Sequence, residues 1–149
     1  MKPPDPPIIL SRCLLAGLFT GLIIALIVVI FNVVYRNATD LIAYAIVMPV
    51  SIFLAFPLIN LIAGGIYFLF IGHLRKGRLL YTAITLLVTA IIAFVTELTG
   101  PQTNPDAIKF RGLLFGLELI EGLMAAFLIP FFAGHPKLYL TDKDIRGEE

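Results

Sequence analysis

The chain has 149 residues, of which 59% are hydrophobic and only 14% are charged. A typical soluble domain is about 45–50% apolar and about 25% charged, so this composition argues against a soluble globular protein. The net charge of +1 provides no basic surface of the kind that nucleic-acid binding needs. The single cysteine excludes an internal disulfide and a cysteine-rich metal site. Together these properties indicate an integral membrane protein.

Four long apolar blocks make up most of the chain. They cover residues 13–35, 41–72, 79–96 and 112–134, and only the fourth contains charged residues. About 20 apolar residues cross a hydrocarbon core of roughly 30 Å as a helix. We therefore predict a single all-α domain, an integral membrane four-helix bundle. The predicted spans are about 12–35, 41–72, 79–99 and 112–133, and a short polar tail follows at 134–149.

The second block is too long for one upright helix and too short for two crossings. Its prolines allow two explanations, which the sequence leaves open. Either the helix is kinked or tilted, with hinges at Pro49 and Pro57, or an interfacial lead-in ends near Pro49. The first block is too long for a signal peptide and lacks a cleavage site, so we expect it to remain as a membrane helix.

Lysine and arginine indicate the orientation of the spans. With four crossings, the N-terminus, the second loop and the tail lie on one side of the membrane. That side carries eight basic residues, Lys2, Arg12, Arg75, Lys76, Arg78, Lys137, Lys143 and Arg146. The other side carries three, Arg36, Lys109 and Arg111. Because short basic loops stay inside, we predict a cell-membrane protein with both termini in the cytoplasm.

Tyrosines lie near the predicted ends of the spans. The five are Tyr35, Tyr44, Tyr67, Tyr81 and Tyr139. Tyrosine is enriched at membrane–water interfaces, so we expect these side chains to form an interfacial aromatic belt.

Two acids interrupt the fourth apolar block. At 100° per residue, Glu118 and Glu121 share one helix face with Arg111. Counted from the outer end, Glu118 is about 10 Å deep and Glu121 about 15 Å deep, close to the midplane. On the insertion scale, the two acids offset roughly the 5 kcal/mol that the apolar side chains of this helix contribute. We therefore expect the acidic face to contact other helices or a partly wet cavity.

The acid pair has two interpretations. Burial and mutual repulsion both disfavour two charges, so we expect the pair to keep at least one proton at neutral pH. In the first interpretation, Glu118 and Glu121 are a proton or cation relay, because intramembrane acids are functional candidates by default. In the second, a protonated carboxyl hydrogen-bonds a neighbouring helix, or an acid forms an ion pair with Arg111. The sequence favours neither.

Threonines form a stripe along the third helix. The stripe consists of Thr82, Thr85, Thr89 and Thr96, which fall within about 60° of arc. Such a stripe predicts a packing seam with hydrogen bonds between helices, and the alternative is a hydroxyl-lined pathway. Glu97 lies beside the stripe at its outer end. It is a further relay candidate or an interfacial acid paired with Lys109 or Arg111.

The other helices carry polar and small residues that predict contacts. Asn60 of the second helix is nearly central in the membrane and needs a hydrogen-bond partner, for which Glu121 is a candidate by depth. GxxxG pairs occur at Gly17 and Gly21 and at Gly112 and Gly116. Such pairs in membrane helices indicate close packing more often than a defined dimer.

No pattern in the sequence predicts enzyme chemistry. The chain contains no HExxH, GxSxG, CxxC or glycine-rich phosphate loop. His73 and His135 belong to the inner ends of the second and fourth helices, too far from the acids to share a metal ion. We therefore expect no catalytic residue, cofactor or metal.

Two functions are consistent with these observations. The first is a non-catalytic subunit or interaction module of a larger membrane complex, suggested by glycine and threonine seams beyond what one bundle needs. The alternative is a small proton- or cation-linked transporter or channel, in which the acid pair, Asn60 and the threonines line a path. Because four helices enclose little volume, that path would need a homo-oligomer. In both cases the expected partners are the lipid bilayer and other membrane helices.

Overall fold

The computed structural model describes residues 10–41, 48–99 and 104–135, which form four α-helices. They are α1 (Leu10–Thr39), α2 (Pro49–His73), α3 (Gly77–Thr99) and α4 (Pro105–Gly134). Each is long and apolar enough to cross a membrane, since even α3 is about 35 Å long at 1.5 Å per residue. The predicted all-α membrane architecture is confirmed, whereas the orientation of the termini stays a prediction. Residues 136–149 of the predicted tail lie outside the described residues.

Prolines mark where two of the helices begin. Pro49 occupies the start of α2, where its missing N–H would have no partner within the helix. Pro105 begins α4 in the same way, directly after Asn104, whose side chain accepts hydrogen bonds from the first helical turn. Pro49, one of the two predicted hinges, therefore lies where the lead-in explanation expects a boundary, and residues 42–47 lie outside the described range.

Consecutive helices run antiparallel around the bundle. Cys13 near the start of α1 lies against Gly64 late in α2, whereas Gly21 of α1 lies against Pro57 earlier in α2. The other face of α1 packs against α4, and α3 packs mainly against α4 and less against α2. The order around the bundle is therefore α2, α1, α4, α3.

Glycines bring α1 and α2 into backbone contact. A Cβ atom at Gly17 would overlap the carbonyl group of Asn60, and one at Gly64 would overlap the carbonyl group of Cys13. Side chains of any size at these positions would push the helices apart. The predicted close packing at Gly17 is therefore confirmed, and the glycines are used inside this one chain.

A second glycine pair receives aromatic side chains of α1. Gly112 lies against the Tyr35 hydroxyl, and Gly116 lies against the Phe31 ring. The Tyr35 hydroxyl donates a hydrogen bond to the Lys109 carbonyl at 3.0 Å. This pair fixes the packing of α1 on α4.

Two tyrosines lie in the core and not at the lipid surface. Tyr67 and Tyr81 are only 2% and 3% exposed, and their rings meet edge to face at 5.0 Å. The predicted aromatic belt is therefore wrong for these two, because position near a span end does not reveal which face of a helix a side chain occupies. Tyr44 and Tyr139 lie outside the described residues.

Helix α3 is the most exposed of the four. In the most apolar 18-residue stretch of α3 only 11% of the residues are buried, compared with 39% in the corresponding stretch of α1. Its large apolar side chains therefore face the surroundings of the bundle, while its threonines turn towards α4.

Candidate functional site

The centre of the candidate site is a hydrogen-bonded pair between α2 and α4. The Asn60 Nδ2 atom donates to the Glu121 Oε1 atom at 2.7 Å and to the Phe56 carbonyl, one turn earlier in α2, at 2.9 Å. Asn60 is fully buried. The predicted pairing of Asn60 with Glu121 is confirmed, and it joins two helices that otherwise touch little.

Two oxygen atoms of this pair are buried without a hydrogen-bond partner. They are the Asn60 Oδ1 atom and the Glu121 Oε2 atom. Both are acceptors, and an ionised carboxylate has no hydrogen to donate. A proton on Glu121 would supply the donor that the pair lacks, and it would also remove a charge from an apolar interior. The arrangement is therefore suited to hold a proton.

Glu118 makes its contacts with a different helix. Both of its carboxylate oxygens accept from the Thr96 hydroxyl of α3, at 2.9 and 3.0 Å. Glu118 and Glu121 are three residues apart, so about 4.5 Å of helix rise separates them. The two acids therefore share a face of α4 but each is held by its own neighbouring helix.

An ion pair lies beyond Glu118, at the end of the bundle where α3 ends and α4 begins. The Arg111 Nε atom lies 3.3 Å from the Glu97 carboxylate, and the same guanidinium donates to the Glu97 carbonyl. Of the two partners predicted for Glu97, Arg111 is the one observed, and Lys109 instead contacts Asp106. The alternative in which Glu118 or Glu121 forms an ion pair with Arg111 is therefore wrong, since among the described residues Arg111 pairs with Glu97.

The threonines of α3 are used mostly by α4. Thr96 holds Glu118, Thr89 packs against Gly122, and Thr82 donates to the Ala126 carbonyl at 3.0 Å. The threonine seam of α3 and the glycine seam of α1 are therefore used for contacts between helices of this one bundle. The expectation that the seams exceed what one bundle needs is therefore wrong. Whether the threonines also form a pathway stays a prediction.

Pro130 explains the Thr82 contact and was not singled out from the sequence. Proline has no N–H, so Pro130 leaves the Ala126 carbonyl, four residues earlier, without its helical donor. The Thr82 hydroxyl of α3 takes the place of that donor. The signal was present, since a proline inside an apolar helix always frees a carbonyl.

Two buried tyrosines, Tyr67 and Tyr81, lie on the other side of Glu121 from Glu118, towards the α2–α3 connection. Tyr81 is buried in the core, one helical turn before Thr85 of α3. Its ring contacts Tyr67 of α2, and both residues lie in the half of the bundle where α2 connects to α3. Tyr81 precedes Thr85 by four residues, so the helical spacing of the threonine stripe could have identified it.

The described residues contain no candidate metal site. In residues 10–41, 48–99 and 104–135, no group of three or more His, Cys, Asp or Glu could hold a metal ion. His73 and His135 each contact a carbonyl of their own helix. Cys13 is buried beside Gly64.

Comparison with known proteins adds no relative. No protein-family model, curated protein or solved structure matches the chain. The chemistry of the site is accordingly inferred from its geometry.

Proposed function

We propose that this chain is a multi-pass membrane protein that conducts protons, with Glu121 as the central proton-binding group. The observation that carries the proposal is the buried Asn60–Glu121 pair, in which two acceptor oxygens lack a hydrogen-bond donor. A proton that binds at Glu121 stabilises the site, and its departure leaves a charge in the apolar interior. A group of this kind holds and releases protons one at a time.

The neighbouring groups support movement of the proton in both directions. Towards the outer end lie Glu118 with Thr96, and then the Arg111–Glu97 ion pair. Towards the other end lie the buried Tyr81 and Tyr67, whose rings are in contact. Hydroxyl and carboxyl groups both donate and accept protons, and intramembrane acids of this type mark proton relays.

A proton fits the site better than a larger cation does. A cation such as Na⁺ needs several oxygen ligands together, which here would have to come from Asn60 and Glu121. Neither the groove between α3 and α4 nor the shallow groove between α1 and α2 is lined by either side chain. A proton needs only a chain of hydrogen-bonding groups and no cavity of its own.

Proton flux into proteoliposomes tests the proposal. We expect purified protein to acidify the vesicle lumen when a K⁺ diffusion potential makes the lumen negative, and Glu121→Gln to reduce this proton flux about tenfold or more. Glutamine still accepts the Asn60 hydrogen bond but does not exchange a proton. Asp106→Asn, at a half-exposed position paired with Lys109 and away from the proposed path, is the matched control and should keep most of the flux.

Two outcomes would reject the proposal. Wild-type flux no greater than that of empty liposomes removes proton conduction altogether. Full flux through Glu121→Gln removes Glu121 from the path, whatever the effect of Glu118→Gln.

A second candidate function is a non-catalytic subunit or interaction module of a larger membrane complex. The observation in its favour is the exposure of α3, since only 11% of the residues in its most apolar 18-residue stretch are buried within the bundle. Large side chains such as Leu87 and Phe94 project from it. A partner that co-purifies with the wild type and is lost from a Leu87→Ala, Phe94→Ala variant, without any proton flux, would favour this function.

A further inference from the structure

A groove of about 940 Å³ opens at the end of the bundle where α2 connects to α3. Its walls come from α3 and α4, and the short connection lies across its end. The groove is distinct from the Asn60–Glu121 pair, since neither residue lines it. Its contents are therefore a question separate from proton conduction.

Basic side chains line one end of the groove. Arg75, Lys76 and Arg78 all border it and are all exposed. The first turn of α3 carries no acid, and the salt bridges among the described residues lie at the opposite end of the bundle. The groove end is therefore strongly positive.

Apart from Thr82, the rest of the groove is lined by apolar side chains and opens to the side. Leu79 is 69% exposed and Phe127 is 56% exposed, and both line it together with the buried Pro130. In a membrane, these side chains face the lipid and not water. A ligand that matches the whole groove has a negative head and a long apolar body.

We propose that this groove binds an anionic phospholipid. Its phosphate contacts Arg75, Lys76 and Arg78, and an acyl chain lies along Leu79 and Phe127. Basic pockets between membrane helices are suited to anionic headgroups, because each lysine or arginine near the membrane surface adds to the attraction. The same attraction favours lipids with a net negative charge over zwitterionic ones.

The C-terminal segment of this chain is the competing occupant. Residues 136–149 contain four acids but also three basic residues and lie outside the described structure. Their net charge of −1 is spread over both signs, so they match three adjacent cations less well than a lipid phosphate does. If this segment occupies the groove, the two tryptophan probes described below should be quenched equally, which would overturn the lipid proposal.

Tryptophan fluorescence can report the lipid in the groove, because the chain contains no tryptophan. Phe127→Trp places a probe in the groove, and Phe94→Trp places a matched probe on a similarly exposed part of α3. Each protein is reconstituted in phosphatidylcholine vesicles that contain phosphatidylglycerol with brominated acyl chains, which quench nearby tryptophan. We expect stronger quenching of the groove probe, whereas the control probe should follow the bulk lipid composition.

Removal of the basic residues tests the headgroup contact. Each basic residue near the membrane surface contributes about fivefold to the affinity for an anionic lipid. Arg78→Gln should therefore lower the preference for the anionic lipid about fivefold. Neutralisation of all three residues should abolish it, and Arg78→Lys should retain most of it. Far-ultraviolet circular dichroism identifies any variant that fails to fold.

Three results would overturn the proposal. The first is equal quenching of the two probes, which would show that no anionic lipid is enriched in the groove and that the C-terminal segment or nothing occupies it. The second is a lipid preference that survives neutralisation of all three residues. The third is loss of the excess quenching on addition of inorganic phosphate at constant ionic strength, which would indicate a site for free phosphate.

Discussion

At the scale of single residues, neighbouring glycines of α2 have different surroundings. Gly64 lies against the Cys13 carbonyl of α1, where a Cβ atom has no room. At Gly65 a Cβ atom would meet only the Leu14 Cδ2 atom, at an ordinary contact distance of 3.6 Å. The two residues are adjacent in the chain, yet only Gly64 is required for the approach of α1 to α2.

Alanine substitutions at these two glycines should have different effects on stability. Gly64→Ala should lower the free energy of unfolding by about 1–3 kcal/mol, because backbone atoms must move. Gly65→Ala should leave it unchanged or raise it by up to about 1 kcal/mol, because alanine favours the helix. Titration of detergent-solubilised protein with a denaturing detergent measures both. Equal losses for the two variants would contradict the backbone contact.

At the scale of helices, a proline inside α4 explains a hydrogen bond between α3 and α4. Pro130 removes the helical donor of the Ala126 carbonyl, and Thr82 of α3 provides another. The contact therefore exists because α4 contains a proline and α3 presents a hydroxyl at the right height. A double-mutant cycle can test this dependence directly.

The cycle compares Thr82→Val in two backgrounds. With Pro130 present, we expect a loss of about 0.6–1.5 kcal/mol in unfolding free energy. With Pro130→Ala, residue 130 regains an N–H for the Ala126 carbonyl, and the loss should become negligible. Thr99→Val is the control, since the Thr99 hydroxyl bonds its own helix. A loss that is the same in both backgrounds would show that Thr82 does not replace a missing helical donor.

The sequence predicts the helices well and their faces only in part. Uncharged blocks of 18 residues or more have few structural alternatives, and depth along a helix suffices to match Asn60 with Glu121. The rotation of a helix about its axis depends on its neighbours. Tyr67 and Tyr81 therefore appear interfacial from their positions in the chain, whereas they contact each other in the core.

The same limit applies to the candidate site. Spacing alone puts Glu118 and Glu121 on one face of α4, but it does not reveal that Thr96 and Asn60 hold them from different helices. The groove beside Arg75, Lys76 and Arg78 requires the relative placement of α3 and α4. A count of charges along the chain contains no such information.

At the scale of the whole molecule, polar groups are unevenly distributed between the inside and the surface. Asn60 and Glu121 meet in the interior, while the exposed face of α3 is apolar along most of its length. A chain in water would show the opposite arrangement. The bundle therefore suits a bilayer, in which polar groups must find partners within the protein.

The orientation in that bilayer is the last prediction, and cysteine labelling can test it. The native Cys13 is fully buried, so the wild type provides the background for a membrane-impermeant maleimide. We expect Asn37→Cys to react in intact cells and Lys76→Cys to react only in inverted vesicles, because the α2–α3 connection is basic. The opposite pattern, or labelling of both sites from both sides, would contradict the cytoplasmic termini. Because Lys76 also borders the groove, the same labelling identifies the leaflet that would supply its anionic lipid.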